Sequence, residues 1–284
     1  MKKLTTLLLL CLATLAANAQ QTADIEVSYE YKYPSQYGGE HVNKMTLLAN
    51  AAESKYFNDI SLWTDSLSST PEGKTKLDEI IKASCLTQHP DGYVYWDLTK
   101  GPVKNIYTYV FNNNTEESIS VFDKWGEDLG LYTEPSSEMQ WTLVPDTICE
   151  IQGFECLLAE SDYHGRHWKA WFTTDIPLGY GPWKLHGLPG LILKADANGG
   201  FSFTATGLNK SNRIITPMYS PDKYRKTDRR KALAEHEYFQ NNQEAIFKAQ
   251  NGGSGKIIFK DDNGNEIEQP VFEAQKHAIE PDYK

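Results

Sequence analysis

Beyond residue 20 this chain of 284 residues has no uninterrupted apolar stretch long enough to span a bilayer, which excludes a helical membrane bundle there. Cysteine is scarce. Cys11, Cys85, Cys149 and Cys156 are too few for a fold built on disulfides. Positive charge is short as well: 28 Lys and Arg stand against 38 Asp and Glu, a net charge of −10. Such a surface repels phosphate backbones and anionic lipids, so nucleic acid is excluded as a natural partner. The one basic run, Lys223 to Lys231, is followed by Glu235 and Glu237 and reads as a solvated helix face. Catalytic signatures are also missing. There is no Gly-x-Ser-x-Gly elbow and no His-Glu-x-x-His pair. Gly252 to Lys256 has the wrong spacing and order for a phosphate loop, and Asp261 to Glu266 fails the calcium-loop spacing. Paired carboxylates leave no linear motif, so a hydrolase of that kind stays open.

What is present begins with a leader. Lys2 and Lys3, the apolar stretch Leu4 to Leu15 and the small residues of Ala17-Asn18-Ala19 predict a signal peptide over 1–19, cleaved before Gln20. Cys11 follows Leu8-Leu9-Leu10 and lacks the small residues of a lipid-anchor site. Loss of the two leader lysines takes the net charge from −10 to −12. Residues 20–284 are then expected to form one exported domain, large enough for a core without staples. The protein would be periplasmic, outer-membrane associated or secreted.

Alternation of period two recurs along the chain and predicts a mainly β protein with some α. Ile25, Val27, Tyr29 and Tyr31 mark a first strand, Met45 and Leu47 a second, Tyr56-Phe57 a third. Pro71 after Thr70, with Leu77, Ile80 and Ile81 at helical spacing, predicts a helix over 71–83. Ser220-Pro221-Asp222 predicts the start of a longer one over 222–250, ended by Gly252-Gly253. Asn263-Gly264 predicts a hairpin between 257–259 and 267–271. Gln152-Gly153 predicts another, in which Cys149 opposes Cys156. That pair is a disulfide candidate, with Cys85 as the rival partner of either thiol.

Residues 175–190 hold three prolines and four glycines and no alternation, which predicts a long ordered loop. Gly187-Leu188-Pro189-Gly190-Leu191-Ile192 within and after it resembles the signature of the GLPGLI family of exported bacterial proteins. Gly165-Arg166, Ala170-Trp171-Phe172-Thr173, Asp175-Ile176-Pro177 and Gly181-Pro182-Trp183-Lys184 precede it in family-like order, as do Asp146-Thr147 and Gly153-Phe154-Glu155-Cys156. The resemblance is specific over about 140–205. More distantly the chain resembles exported half-barrels that carry lipoproteins or apolar ligands, which implies a curved antiparallel sheet wrapped around helices.

Three functional readings follow. In the first, a non-enzymatic envelope protein binds an apolar ligand, a peptide or an outer-membrane partner in the concave face, without a cofactor. Trp171, Tyr180, Trp183, His186 and Leu188 are its candidate contacts. The loop 180–190 is its lip, and Gly187, Pro189 and Gly190 set the loop's course. In the second, His164, His167 and His186 bind copper or zinc, with a cysteine as a fourth ligand. In the third, scattered carboxylates make a hydrolase without a motif.

Overall fold

The computed structural model describes residues 21–88, 90, 92, 94–97, 100–253, 257–261 and 265–284. The leader, Cys11 and the Asn263-Gly264 turn lie outside the described residues. The strands are β1 (Ile25–Pro34), β2 (Glu40–Ala49), β3 (Glu53–Phe57), β4 (Leu86–Gln88), β5 (Val94–Trp96), β6 (Tyr109–Asn113), β7 (Ser118–Trp125), β8 (Asp128–Pro135), β9 (Thr142–Ile151), β10 (Phe154–Tyr163), β11 (Arg166–Thr173), β12 (Leu191–Ala197) and β13 (Phe201–Lys210). The short β14 (Arg225–Lys226) follows, and β15 (Phe259–Lys260) pairs with β16 (Glu266–Ile267). The helices are α1 (Asp59–Ser68), α2 (Pro71–Cys85), α3 (Arg229–Asn241), α4 (Gln243–Gln250) and α5 (Ala274–His277).

Twelve strands make one sheet in the order β14-β8-β7-β6-β3-β2-β1-β13-β12-β11-β10-β9. Every pairing in it is antiparallel except that of β14 with β8. The sheet is open, and it curls. Tyr163 at the end of β10 gives its hydroxyl to Glu134 on β8 at 2.9 Å. Nine strand-to-strand steps separate β8 from β10 in the sheet order. Laid flat, at ~4.8 Å a step, they would stand roughly 43 Å apart. The expected half-barrel is thus corrected to a much larger open sheet, bent until residues near its two ends touch.

Alternation explains which face is dry. Val27 and Tyr29 of β1, Leu47 of β2, Phe172 of β11, Leu193 of β12 and Phe203 of β13 all point inward and are buried in one cluster. On the outer face Leu48, Phe57, Tyr109 and Phe122 form a second cluster under Ile215 and Tyr224. Lys55 is fully buried beside it. Its ammonium reaches the Thr216 carbonyl at 2.8 Å and sits 5.1 to 5.3 Å from the rings of Phe57, Tyr109 and Phe111. Burial with so little compensating charge pushes this lysine down to about 7.

Local signals mostly hold. Thr70 caps α2 by accepting from the Gly73 amide, with Pro71 in the first turn. The helix α1 just before it is an addition, started by Asn58 accepting from the Ser61 amide. The long helix expected over 222–250 is corrected in two ways. Pro221–Lys223 forms only a 3-10 turn, and the helix starts at Arg229 behind the Asp228 cap. It also breaks at Asn242, whose φ of −129° is not helical, dividing α3 from α4. The Gln152-Gly153 hairpin has the expected register, with Cys149 facing Cys156. Both turn residues take positive φ, as a tight hairpin turn requires. Cys85, Cys149 and Cys156 are free thiols. Burial, followed by the neighbouring Cys149, pushes the Cys156 thiol up to about 11.

The loop 174–190 does not rim the fold. Tyr180, Trp183, Lys184, Leu185, His186 and Leu188 are all buried, and the loop packs inside the curl. Tyr29 donates to the Ile192 carbonyl at 2.6 Å, and the Gly187 amide returns to Gly179 at 2.9 Å. Gly190 is where the chain passes closest to the sheet. A Cβ there would overlap the Thr173 carbonyl oxygen and lie 2.7 Å from its carbon. Gly187 has open space but a φ of +88°. Gly190→Ala is therefore expected to cost about 3 kcal/mol or more, at the top of the range for overpacking. Gly187→Ala should cost about 1 to 2 kcal/mol from backbone strain alone. Urea unfolding of the two variants checks the order.

Candidate functional site

The inward side chains of β1 run Tyr29, Tyr31, Tyr33, and only the first is fully covered. Tyr31 and Tyr33 face a cavity of about 530 Å³. It lies between the concave face and a cover made by α3 and the C-terminal tail. The tyrosine rings stack at 4.8 Å, and Tyr31 stacks on Phe203 of β13 at 4.5 Å. The stack continues through Trp168 to Trp183, with centroids 6.0 and 5.6 Å apart. Tyr56 of β3 meets Phe203 edge-on, and its buried hydroxyl has no hydrogen-bond partner. Trp125 and Tyr132 stack at 5.2 Å on the side of β7 and β8. The cover contributes Leu233, His236, Phe239 and Gln240 of α3, and Phe272 and Ile279 of the tail. Such a wall offers large apolar area with hydroxyls at ring edges.

The cavity's charged groups differ from one another. Asp123 on β7 accepts from the Thr108 hydroxyl and from the Lys124 amide, each at 2.6 Å. Burial pushes its carboxyl up to about 6, against the pull of those two hydrogen bonds. Burial pushes His236 down to about 4, which leaves it neutral at pH 7.

One end of the cavity is closed by buried ions. Lys184 is fully buried, and its ammonium lies 2.8 Å from both Glu134 Oε1 and Glu280 Oε1. Arg229 of α3 reaches Glu280 and Asp282, both at 2.8 Å. His164 lies 3.3 Å from Glu134, 3.8 Å from Glu280 and 3.5 Å from Asp282. Tyr163 and Tyr132 add hydroxyls to Glu134 and Glu280. Burial opposes ionisation of Glu134, but the His164 hydrogen bond and the Lys184 ammonium outweigh it and hold the carboxyl well below its ordinary range. Arg166 completes the tie, donating to the Gln275 and Ala278 carbonyls at 3.0 and 2.5 Å. The tail is thereby fastened across the curl.

Of the five candidate contacts, Trp183 lines the cavity. Tyr180, His186 and Leu188 are buried in the loop's own packing, and Trp171 is half-buried on β11. The three histidines do not converge. His164 belongs to the ion cluster, while His167 is exposed beside Asp162 at 2.8 Å. His186 sets its ring nitrogens against the Lys184 and Ser136 carbonyls at 2.7 and 2.5 Å. A different trio, Glu134, His164 and Glu280, brings its ligand atoms within 4.8 Å. Lys184 already bridges the two carboxylates there, so the chain supplies its own cation. Among the described residues no helix is long and apolar enough to cross a membrane.

Two outcomes follow from the ion cluster. Lys184→Met takes the close cation from buried Glu134 and leaves Glu280 to Arg229 alone, and is expected to cost about 3 to 5 kcal/mol in urea unfolding at pH 7, with partial recovery in K184M/E134Q. Acid has the same target. The folded state holds Glu134 ionised at pH values where an unfolded glutamate, near 4.5, takes a proton. Its contribution is complete above pH 4.5 and is lost progressively as pH falls below that value. A pH series of melting temperatures should fall more steeply below 4.5 in the wild type than in Glu134→Gln.

A family model described as a protein of unknown function (Porph_ging) matches residues 151–194, which include the Gly187–Ile192 hexamer. No curated protein matches the chain. Structures of PNGF-II in C2 and P21 crystal forms are similar at 14% identity, with TM-scores of 0.46 and 0.47. They cover 75% and 76% of this chain, which spans about a third of theirs, 32% and 33%. A putative outer membrane lipoprotein-sorting protein domain from Vibrio parahaemolyticus is similar at 9% identity and a TM-score of 0.22, covering 73% of this chain and 92% of its own.

Proposed function

We propose that this is an exported envelope protein of the GLPGLI type that carries a ligand with an apolar body in the cavity beneath its curled sheet. The observation that supports this most is the wall itself. About 530 Å³ falls within the range of small-molecule sites, and the lining combines stacked aromatic rings with a few polar groups. Tyr56 adds a buried hydroxyl with no partner inside the protein, a hydrogen bond ready for an occupant. Trp183 links this site to the loop that carries the family-like hexamer. The role is binding, with the tail and α3 as the cover through which a ligand enters.

Protein purified from the producing cells and examined by native mass spectrometry is expected to carry a bound mass that denaturation releases. Val121 is buried and lines the space, so Val121→Phe fills it from the floor of β7. That variant should lose the bound mass at a stability cost of about 1 to 3 kcal/mol. Tyr56→Phe removes only the hydroxyl and should weaken retention while leaving the fold intact. Wild-type protein that arrives empty, and that binds no apolar fluorescent probe displaced by Val121→Phe, would overturn the reading.

A further inference from the structure

We infer that the occupant presents an organic ammonium group, primary or quaternary, to a carboxylate-and-tyrosine pocket formed by Asp123, Tyr31 and Tyr33. The inference rests on the ligand-carrying role proposed above and names the chemistry of that ligand's head.

Asp123 is placed by the β7 alternation that also points Val121 and Trp125 inward. A carboxylate has about four acceptor positions, and Asp123 uses one on each oxygen, for Thr108 and for its neighbour's amide. Among the described residues, no Lys, Arg or His nitrogen comes within 4.0 Å of it. Lys104 is near enough to be felt but gives its ammonium to Asp65, at 2.6 and 2.8 Å. His236, across the cavity on α3, is neutral, and burial also lowers His277 on the tail. The acids on the far wall are already matched, since Glu280 is held by Lys184 and Arg229. Asp123 is thus an acid brought indoors without a cation.

Lys124 also lines the cavity, but its ammonium lies over the Tyr107 ring at 5.5 Å, and the other groups around Asp123 suit a cation. Tyr31, Tyr33 and Asp123 line the same cavity, and the two tyrosine rings stack on each other at 4.8 Å. Ring faces carry negative potential and attract ammonium groups, most strongly where water is excluded. A second anion here would repel Asp123 at low local dielectric. A neutral polar head would leave the carboxylate uncompensated. Beyond the pocket, Met45, Tyr56 and Phe203 offer the apolar surface along which a hydrocarbon body would lie. The net charge of −10 favours arrival of a cation but does not select among cations, so the test turns on Asp123 itself.

The full-length mature protein is titrated calorimetrically with four probes of one chain length: decyltrimethylammonium, decylammonium, decanol and decanoate. Both cations are expected to bind at least about tenfold more tightly than decanol, with decanoate weakest. Asp123→Asn should bring the cations down to the level of decanol and leave decanol unchanged. Tyr31→Leu should weaken the quaternary probe more than the primary one, because a quaternary head has no N–H to give to Asp123 and relies more on the ring faces. Equal binding of decanol and the cations, preference for decanoate, or a cation preference that survives Asp123→Asn overturns the inference and leaves the apolar cavity reading standing. Failure of all four probes to bind overturns that reading itself. If Asp123→Asn does not fold, the wild-type ranking is repeated in about 0.5 M salt, which screens the net charge but not a buried carboxylate; a cation preference that vanishes there overturns the inference.

Discussion

The structure depends on one buried ammonium. Lys184 sits on a loop, Glu134 on β8 and Glu280 on the tail, and the three meet with both contacts at 2.8 Å. Each ion alone would carry a desolvation cost of several kcal/mol in that environment, and together they offset it. An ion network of this kind is weak evidence of stability, because an apolar replacement of the same shape often does as well. Its value lies in geometry. Ions leave few alternative partners in a dry interior, so the cluster specifies which loop, which strand and which tail residue come together. A strand near one end of a wide open sheet is thereby tied to the loop and the tail, at the point where Tyr163 of β10, near the other end, also donates to Glu134.

That constraint accounts for the way the interior is divided. A sheet of twelve strands curled this strongly encloses more space than its own side chains fill. The Gly- and Pro-rich loop takes up part of it, leaving under Thr173 where only a glycine fits. Elsewhere the stacked rings from Tyr33 to Trp183 keep the walls apart. Rings so braced resist collapse better than aliphatic side chains, which would repack into the gap.

Much of the fold was legible because its signals are local. The Gln152-Gly153 turn sets the β9–β10 register, and with it the facing of Cys149 and Cys156. The Thr70-Pro71 start did the same for α2. Ser220-Pro221-Asp222 has a helix-start pattern, but Ser220 takes a left-handed φ of 48° without capping, and the chain goes on to pair with β8 at Arg225. The site was less legible. Tyr31 and Tyr33 were visible as alternation, but nothing in a sequence separates an inward residue that fills space from one that lines it. Lys184 was flanked by Trp183 and Leu185 in an apolar loop, which was the available sign that its charge is buried. Its partners lie 50 residues upstream and 96 residues downstream, and no spacing rule connects them. The histidines lie near one another in sequence, at 164, 167 and 186, but the turn at 164–165 sends the first two to different surroundings, and spacing alone does not make them a site.

The cavity raises a question of cost that its chemistry answers. An apolar void of about 530 Å³, held dry at ~24 cal/mol per Å³, would cost on the order of 10 kcal/mol. That rivals the whole stability of a typical domain. A space of this size is sustainable only if its wall attracts something. Asp123, Asn43, Tyr31 and Tyr33 give one part of it enough polarity to hydrate, while Met45 and Phe203 keep the rest poor for water. Water ordered against such a mixed surface is readily displaced by a molecule with one charged end and one apolar end. The tail, fastened at Arg166, Arg229 and Lys184 but otherwise lying over the opening, is then a cover whose anchoring and the site's walls share the same residues. Trp183 packs on the stack while its neighbour Lys184 holds the clamp. Loosening the tail therefore disturbs the pocket, and filling the pocket supports the tail.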